Sequence, residues 1–224
     1  MVKKKSKKKI LKKKKIDSET KQLLWFFGVV ILVFILFLGT YYGVRSQKHF
    51  VFGGAEWWVE GEREGWGDLT LYHARYPVVY AGELYTNMNL WLYNDPRENN
   101  ISADVDFFAN GIAKDVVITF SSDLMECSDR NIIIPQLTQV FGTGLPWTTT
   151  SGGIANVSAA RNLGLPYADC FNVTDDKTVI YVHEGKESKV YSEWGCYHVA
   201  YETCDDAMKS SEKLILELIS QLNE

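Results

Sequence analysis

His183 and His198 lie in two alternating apolar segments, Thr178-Val179-Ile180-Tyr181-Val182-His183 and Cys196-Tyr197-His198-Val199-Ala200-Tyr201. If these are neighbouring strands, the two imidazoles could share a transition metal. No H-E-x-x-H or H-x-H spacing accompanies them, so no metal site is assigned. Asp104-Val105-Asp106 has the D-x-D spacing that holds a divalent ion in sugar-nucleotide transferases. An extended chain would put both carboxylates on one face, as that chemistry needs. Nucleotide-sugar donors are cytoplasmic, however, and the topology derived below puts this segment outside the cell. Asp95-Pro96-Arg97 would set a carboxylate and a guanidinium at a strand end. The plainer expectation there is a turn, with proline fixing φ and the arginine paired locally. Asp95 and Arg97 are kept as candidate binding residues with Trp57, Trp58 and Trp66, whose rings fall among Glu60, Glu62, Arg63 and Glu64. Such a cluster could form a binding lip, although aromatics of this kind more often cap a core. Nucleophilic catalysis finds no G-x-S-x-G elbow, and Ser151-Gly152-Gly153 reads as a loop by composition. No catalytic residue and no cofactor is assigned.

The four cysteines carry a stronger signal. Cys127, Cys170, Cys196 and Cys204 all follow the apolar segment described next. An even number confined to an oxidising side reads as two disulfides. Spacings of 43, 26 and 8 residues do not match the close pairs of zinc sites or of C-x-x-C redox motifs. Four cysteines allow three pairings. A strand expected between Cys196 and Cys204 would hold their Cα atoms too far apart for a bridge, which favours Cys170–Cys196 with Cys127–Cys204.

These groups are positioned by a chain with two unlike ends. Ten lysines fall in the first fifteen residues, and Gln22 to Val44 then carry no charge. As a helix, that run spans about 35 Å against a hydrocarbon core of about 30 Å. Its centre is apolar on every face, with Trp25, Phe26 and Phe27 at one end and Tyr41 and Tyr42 at the other. A cleaved signal peptide would be shorter and would end in small residues rather than Gly39-Thr40-Tyr41-Tyr42. The segment therefore reads as an uncleaved anchor. Eleven lysines precede it against Asp17 and Glu19, a net of +9, which keeps the N-terminus in the cytoplasm. Gly39 and Gly43 form a G-x-x-x-G step that could pack helices together.

Beyond the anchor stand 13 basic and 26 acidic residues, a net of −13. Nucleic acid is a poor partner for such a surface, because phosphate neutralisation needs lysine and arginine. Three N-x-S/T sequons, at Asn100, Asn156 and Asn172, are candidate glycosylation sites on this side.

The expected fold is α+β: an N-terminal transmembrane helix, then one mixed α/β ectodomain with a mainly antiparallel sheet and a C-terminal helix. Residues 1–21 form a cytoplasmic polybasic tail, 22–44 the anchor, 45–56 a stalk and 57–224 an extracytoplasmic domain. Alternation predicts strands from Glu83 to Tyr93 and from Lys114 to Ser121. A helix is expected from Ser128-Asp129 to Phe141, with Pro135 able to kink it. A short helix is expected around Val157–Asn162, stopped by Gly164, in an otherwise featureless stretch from 143 to 170. Thr178–His183, Ser188–Trp194 and Cys196–Tyr201 read as a three-strand meander. A last helix starts at Thr203 with an apolar stripe of Met208, Ile215, Leu218, Ile219 and Leu222.

The basic tail, the single span, Leu92-Tyr93-Asn94-Asp95-Pro96-Arg97 after a strand, and Ala168-Asp169-Cys170 with Gly195-Cys196-Tyr197 before Cys204 resemble uncharacterised archaeal single-pass membrane-anchored proteins. The resemblance covers most of the chain and implies paired cysteines and an envelope location, but no activity. The expected role is therefore a disulfide-stapled ectodomain at the cell envelope, anchored in the lipid bilayer, that binds a protein or glycan partner or serves structurally. The alternatives are an extracytoplasmic hydrolase with a carboxylate site, or an accessory subunit of a membrane complex. A flat aromatic patch would favour binding; a sequestered cluster of Asp, Glu and His would favour an enzyme.

Overall fold

The computed structural model describes residues 18–61, 70–80 and 82–222, without the side chains of 18–21 and 44–47. Its chain divides into two compact units, Met1–Ser46 and Gln47–Glu224. The polybasic tail up to residue 17 and Trp66 lie outside the described residues.

The first unit is built on helix α1, Ser18–Lys48. Within it, Gln22–Gly43 is long and apolar enough to cross a membrane, and no part of it is buried in protein. Phenylalanine, leucine, isoleucine and valine are exposed all round, so the segment has no polar face to turn to water. Its one hydroxyl of note, Thr40, donates back to Leu36 O and Phe37 O and so is satisfied within the helix.

The second unit opens with β1 (His49–Phe52), β2 (Ala55–Glu60), β3 (Leu71–Tyr80) and β4 (Glu83–Leu92). These make an antiparallel four-stranded sheet, here sheet A, in the order β1-β2-β3-β4. The expected stalk is thus a correction. Gly53 and Gly54 both have positive φ and close a two-residue hairpin turn that pairs Phe52 with Ala55. Proline can stand at Pro77 in β3 because β2 stops short of it, so its missing N–H faces a free edge.

The rest of the unit runs β5 (Ser102–Asp104), α2 (Phe107–Asn110), β6 (Asp115–Phe120), α3 (Arg130–Thr138), β7 (Thr149–Ile154), α4 (Val157–Leu163), β8 (Lys177–Glu184), β9 (Lys189–Glu193), β10 (Cys196–Tyr201) and α5 (Cys204–Leu222). A π-helical turn, Gln139–Gly144, continues α3, and Pro135 sits inside that helix. The α4 helix ends at Gly164 in the left-handed conformation. Ser151-Gly152-Gly153 is not a loop but part of β7, held by parallel pairing to β6.

The six strands form sheet B in the order β5-β9-β10-β8-β6-β7. The fold is α+β as expected, but the sheet content differs from a single, mainly antiparallel sheet. Sheet A is antiparallel throughout, whereas sheet B is parallel except between β9 and β10. The expected meander is also replaced. β10 lies between β8 and β9, parallel to the first and antiparallel to the second. Strands two places apart lie about 9.6 Å from each other, a gap that four residues can cross. Residues 185–188 make that crossing over the end of β10, where Gly185 N donates to Tyr201 O and Glu202 N to Ser188 Oγ.

One buried cluster runs from Trp57, Leu90 and Leu92 of sheet A through Leu137, Phe141, Leu214 and Ile215 to Ile118, Ile180 and Val199 of sheet B. The apolar stripe of α5 is the one expected: Met208, Ile215, Leu218 and Ile219 are buried and Leu222 packs at the margin. Two disulfides pin the ends of this arrangement. Cys127 bridges to Cys204 at the start of α5, and Cys170 bridges to Cys196 at the start of β10. This is the pairing that strand geometry favoured.

Candidate functional site

The candidate binding residues that the structure describes, Trp57, Trp58, Asp95 and Arg97, do not converge. Trp57 is fully buried, and its Nε1 donates to Phe52 O, so it is a core residue closed to a ligand. Trp58, one residue on, points to the opposite face, as strand alternation requires. There His49, Trp58, His73 and Trp91 stand directly opposite one another across β1, β2, β3 and β4. His73 and Trp91 stack at 4.1 Å, and Trp58 lies 5.3 Å from His49 and 6.1 Å from His73. The ring faces are occupied by their neighbours, so the row stiffens sheet A and offers edges rather than a platform.

Asp95 and Arg97 make the turn expected of them. Arg97 Nη2 lies 2.6 Å from Asp95 Oδ2, and the guanidinium sits 3.9 Å from the centre of the Phe50 ring. Burial alone would raise the Asp95 pKa, but the Arg97 hydrogen bonds and charge and the Tyr72 hydroxyl hold its carboxyl below the usual range. Asp104 and Asp106 do not form a shared ion site, because Asp106 caps α2 by accepting from Ala109 N. Of the sequons, Asn156 caps α4 and Asn172 accepts from Asp169 N in a capping box, whereas Asn100 is exposed.

Two surfaces that the sequence motifs did not single out are better formed. The first is the tip of the β3–β4 hairpin. Beyond the reach of β2, this ribbon leaves Val79, Tyr80, Leu84 and Tyr85 each more than half exposed. Among the described residues only Tyr80 of these four has an aromatic neighbour, stacking 5.6 Å from Trp147.

The second lies on the face of sheet B turned away from α5. His198 stands opposite Tyr181 on β8 and Tyr191 on β9, stacking on Tyr191 at 4.5 Å. His183 Nε2 is 3.2 Å from His198 Nδ1, and His183 Nδ1 is 2.8 Å from Glu184 O. The carbonyl can only accept, so it fixes the proton on His183 Nδ1 and makes His183 Nε2 the acceptor from His198 Nδ1–H. That leaves the His198 Nε2 lone pair aimed at Cys170 Sγ, 3.4 Å away. Burial holds the His198 pKa down at about 4, the neighbouring His183 adds to this, and Glu193 opposes it. Burial likewise lowers that of His183. Both rings are neutral at neutral pH.

The ligand atoms of Cys170, Cys196 and His198 lie within 4.8 Å of one another. With the two sulfurs joined as a disulfide, neither is a thiolate, so this oxidised trio lacks the donors zinc requires. The expected neighbourhood of His183 and His198 is real, but its companion is a disulfide rather than a carboxylate. One local signal pointed there: Trp194-Gly195 occupies a two-residue hairpin turn where Asn-Gly would be ordinary.

No protein-family model, curated protein or solved structure matches this chain.

Proposed function

We propose that the protein is a single-pass envelope protein that holds its disulfide-stapled domain outside the membrane and binds a protein partner through the β3–β4 hairpin tip. The anchor reading rests on an apolar helix with no protein partner among the described residues and on the lysines before it. The outward orientation rests on that same asymmetry and on two disulfides, which persist in oxidising compartments. The resemblance to archaeal single-pass proteins points the same way.

The observation that carries the binding role is the cluster of Val79, Tyr80, Leu84 and Tyr85 at one hairpin tip. Exposed apolar residues gathered at one place mark interaction sites, whereas scattered ones need no explanation. Pro77 breaks the donor row of the free β3 edge, which favours recognition through side chains over addition of a strand. A protein partner suits these residues better than a glycan, because aliphatic side chains contribute half of the patch.

Crosslinking and affinity capture from native membranes test this reading. Leu84→Ser with Tyr85→Ser should leave the melting temperature close to wild type, since both side chains are exposed. The double variant is expected to lose at least about tenfold in captured partner, as for central interface residues. Equal capture by the variant would contradict the assignment.

A further inference from the structure

We propose that Cys170–Cys196 is a thiol-exchanging disulfide that acts on a cysteine-bearing polypeptide, with Cys170 as the attacked sulfur and His198 as its proton partner. The inference rests on the disulfide and histidine geometry and is independent of the hairpin.

The two bridges of the domain differ in kind. Cys127–Cys204 joins buried Cys127 to exposed Cys204 at the start of α5, and what it lacks is an imidazole beside it among the described residues. Cys170–Cys196 pairs a half-buried sulfur with a fully buried one, and only the half-buried one faces an imidazole nitrogen. Cys196 is buried and Cys170 half-buried, so Cys170 is the more accessible end of the bridge. In the bridged form Cys170 Sγ lies 3.4 Å from the His198 Nε2 lone pair, so the thiol released on opening has an imidazole acceptor at hand, and a thiolate formed there would raise the ring's affinity for the proton. His198 is held for that task by donating through Nδ1 to His183, which is itself anchored on Glu184 O.

The surroundings suit a polypeptide. Phe171, next to Cys170, is 97% exposed, and Trp194, two residues before Cys196, is 90% exposed. They are the most exposed large apolar residues among those described, and they flank the two sulfurs. Trp194 also takes φ of 53° in its turn, a conformation that bulky residues avoid. Asparagine would fit that turn better, and backbone strain of this sort collects at functional positions. A cleft of about 510 Å³ adjoins the turn, lined by Trp194, Val173, Asp175, Lys177, Asn110 and Ile112.

A substrate thiolate attacks Cys170 Sγ, forming a mixed disulfide, and the Cys170–Cys196 bond breaks. Cys196 leaves as thiolate and takes up one proton. A second substrate thiolate then attacks the substrate sulfur of the mixed disulfide. Cys170 leaves as thiolate beside His198, and the second proton is shared between them. Two electrons and two protons pass from the substrate dithiol to the protein, and the substrate leaves as a disulfide. Run in reverse, the reduced pair opens a substrate disulfide.

The test uses the full chain in detergent, with chelator present so that zinc does not occupy the reduced thiols. Glutathione buffers of graded composition are applied, free thiols are trapped by alkylation, and each cysteine is mapped by mass. Cys170–Cys196 is expected to be half-reduced at a [GSH]²/[GSSG] ratio at least about 100-fold lower than Cys127–Cys204 needs. At pH 7 in the reduced protein, Cys170 should alkylate at least about tenfold faster than Cys196. His198→Gln should slow Cys170 alkylation at pH 7 about fivefold or more and move its pH midpoint upward. Among the described residues, the other groups that can act on that midpoint are His183 and Tyr181 from β8, Tyr191 and Glu193 from β9, Asp123 after β6, and Asp169 beside Cys170. None of them changes in the variant. If His198→Gln does not fold, His183→Gln removes only the relay and should shift the midpoint in the same direction by a smaller amount. Joint opening of both bridges, faster alkylation of Cys196, or a Cys170 profile indifferent to both histidine variants would each overturn the proposal.

Discussion

Glu212 on α5 is 1% exposed, yet it carries a carboxyl in the middle of the core. It accepts from the backbone N–H groups of Tyr93 and Asn94 and from Asn94 Nδ2, fastening the turn after β4 to α5. Burial pushes its pKa up to about 7 despite these donors. Gln136 also reaches this carboxyl, and Gln136 Oε1 has no donor of its own. Because the folded state holds the Glu212 proton more tightly than the unfolded chain, the stability it confers is present below about pH 4.5. It is lost as pH rises through about 7, a cost of about 3 kcal/mol on the alkaline side. His198 acts in the opposite sense: its lowered pKa gives stability that is present above about pH 6.5 and lost as pH falls through about 4. Glu212→Gln mimics the protonated carboxyl. It should raise unfolding free energy over wild type at pH 8 and differ little at pH 5, measured by denaturant unfolding. A gain of the same size at both values would contradict this role.

At the scale of elements, β2 places two adjacent tryptophans in unlike settings. Trp57→Ala should cost about 3–5 kcal/mol, the range for an aromatic removed from a core. Trp58→Ala, losing only cross-strand ring contacts, should cost about 1 kcal/mol. Thermal or denaturant unfolding of the two variants measures the contrast, and equal losses would mean that the strand faces are misassigned. The sequence pattern could not separate the two rings, because β1 and β2 are short and Gly53-Gly54 resembles a linker as much as a hairpin turn. Long periodic elements were legible: β4, β6 and α5 follow their apolar alternation or stripe, and α4 shows its stop at Gly164. The strand β7 was not, since Ser151-Gly152-Gly153 interrupts the strand-favouring Thr149-Thr150 and the segment is held by its pairing to β6. Nor was the insertion of β10 between β8 and β9 readable, because local turn chemistry marks only the β9–β10 link. The site inherits that limit. Cys170 and His198 are 28 residues apart and meet only because β10 lies where it does.

At the scale of the whole molecule, one chain joins a basic tail and an apolar helix to a domain with a strong acidic excess. The disulfides, the exposed hairpin tip and the histidine-backed bridge acquire their proposed roles only if that domain faces outward. The direct measurement is protease digestion of intact cells carrying the full chain with a tag at each terminus. A protease added outside is expected to remove the C-terminal tag and leave the N-terminal tag on a fragment containing the span, with both tags lost after permeabilisation. Survival of the C-terminal tag in intact cells, with loss of the N-terminal one, would reverse the orientation and contradict the account.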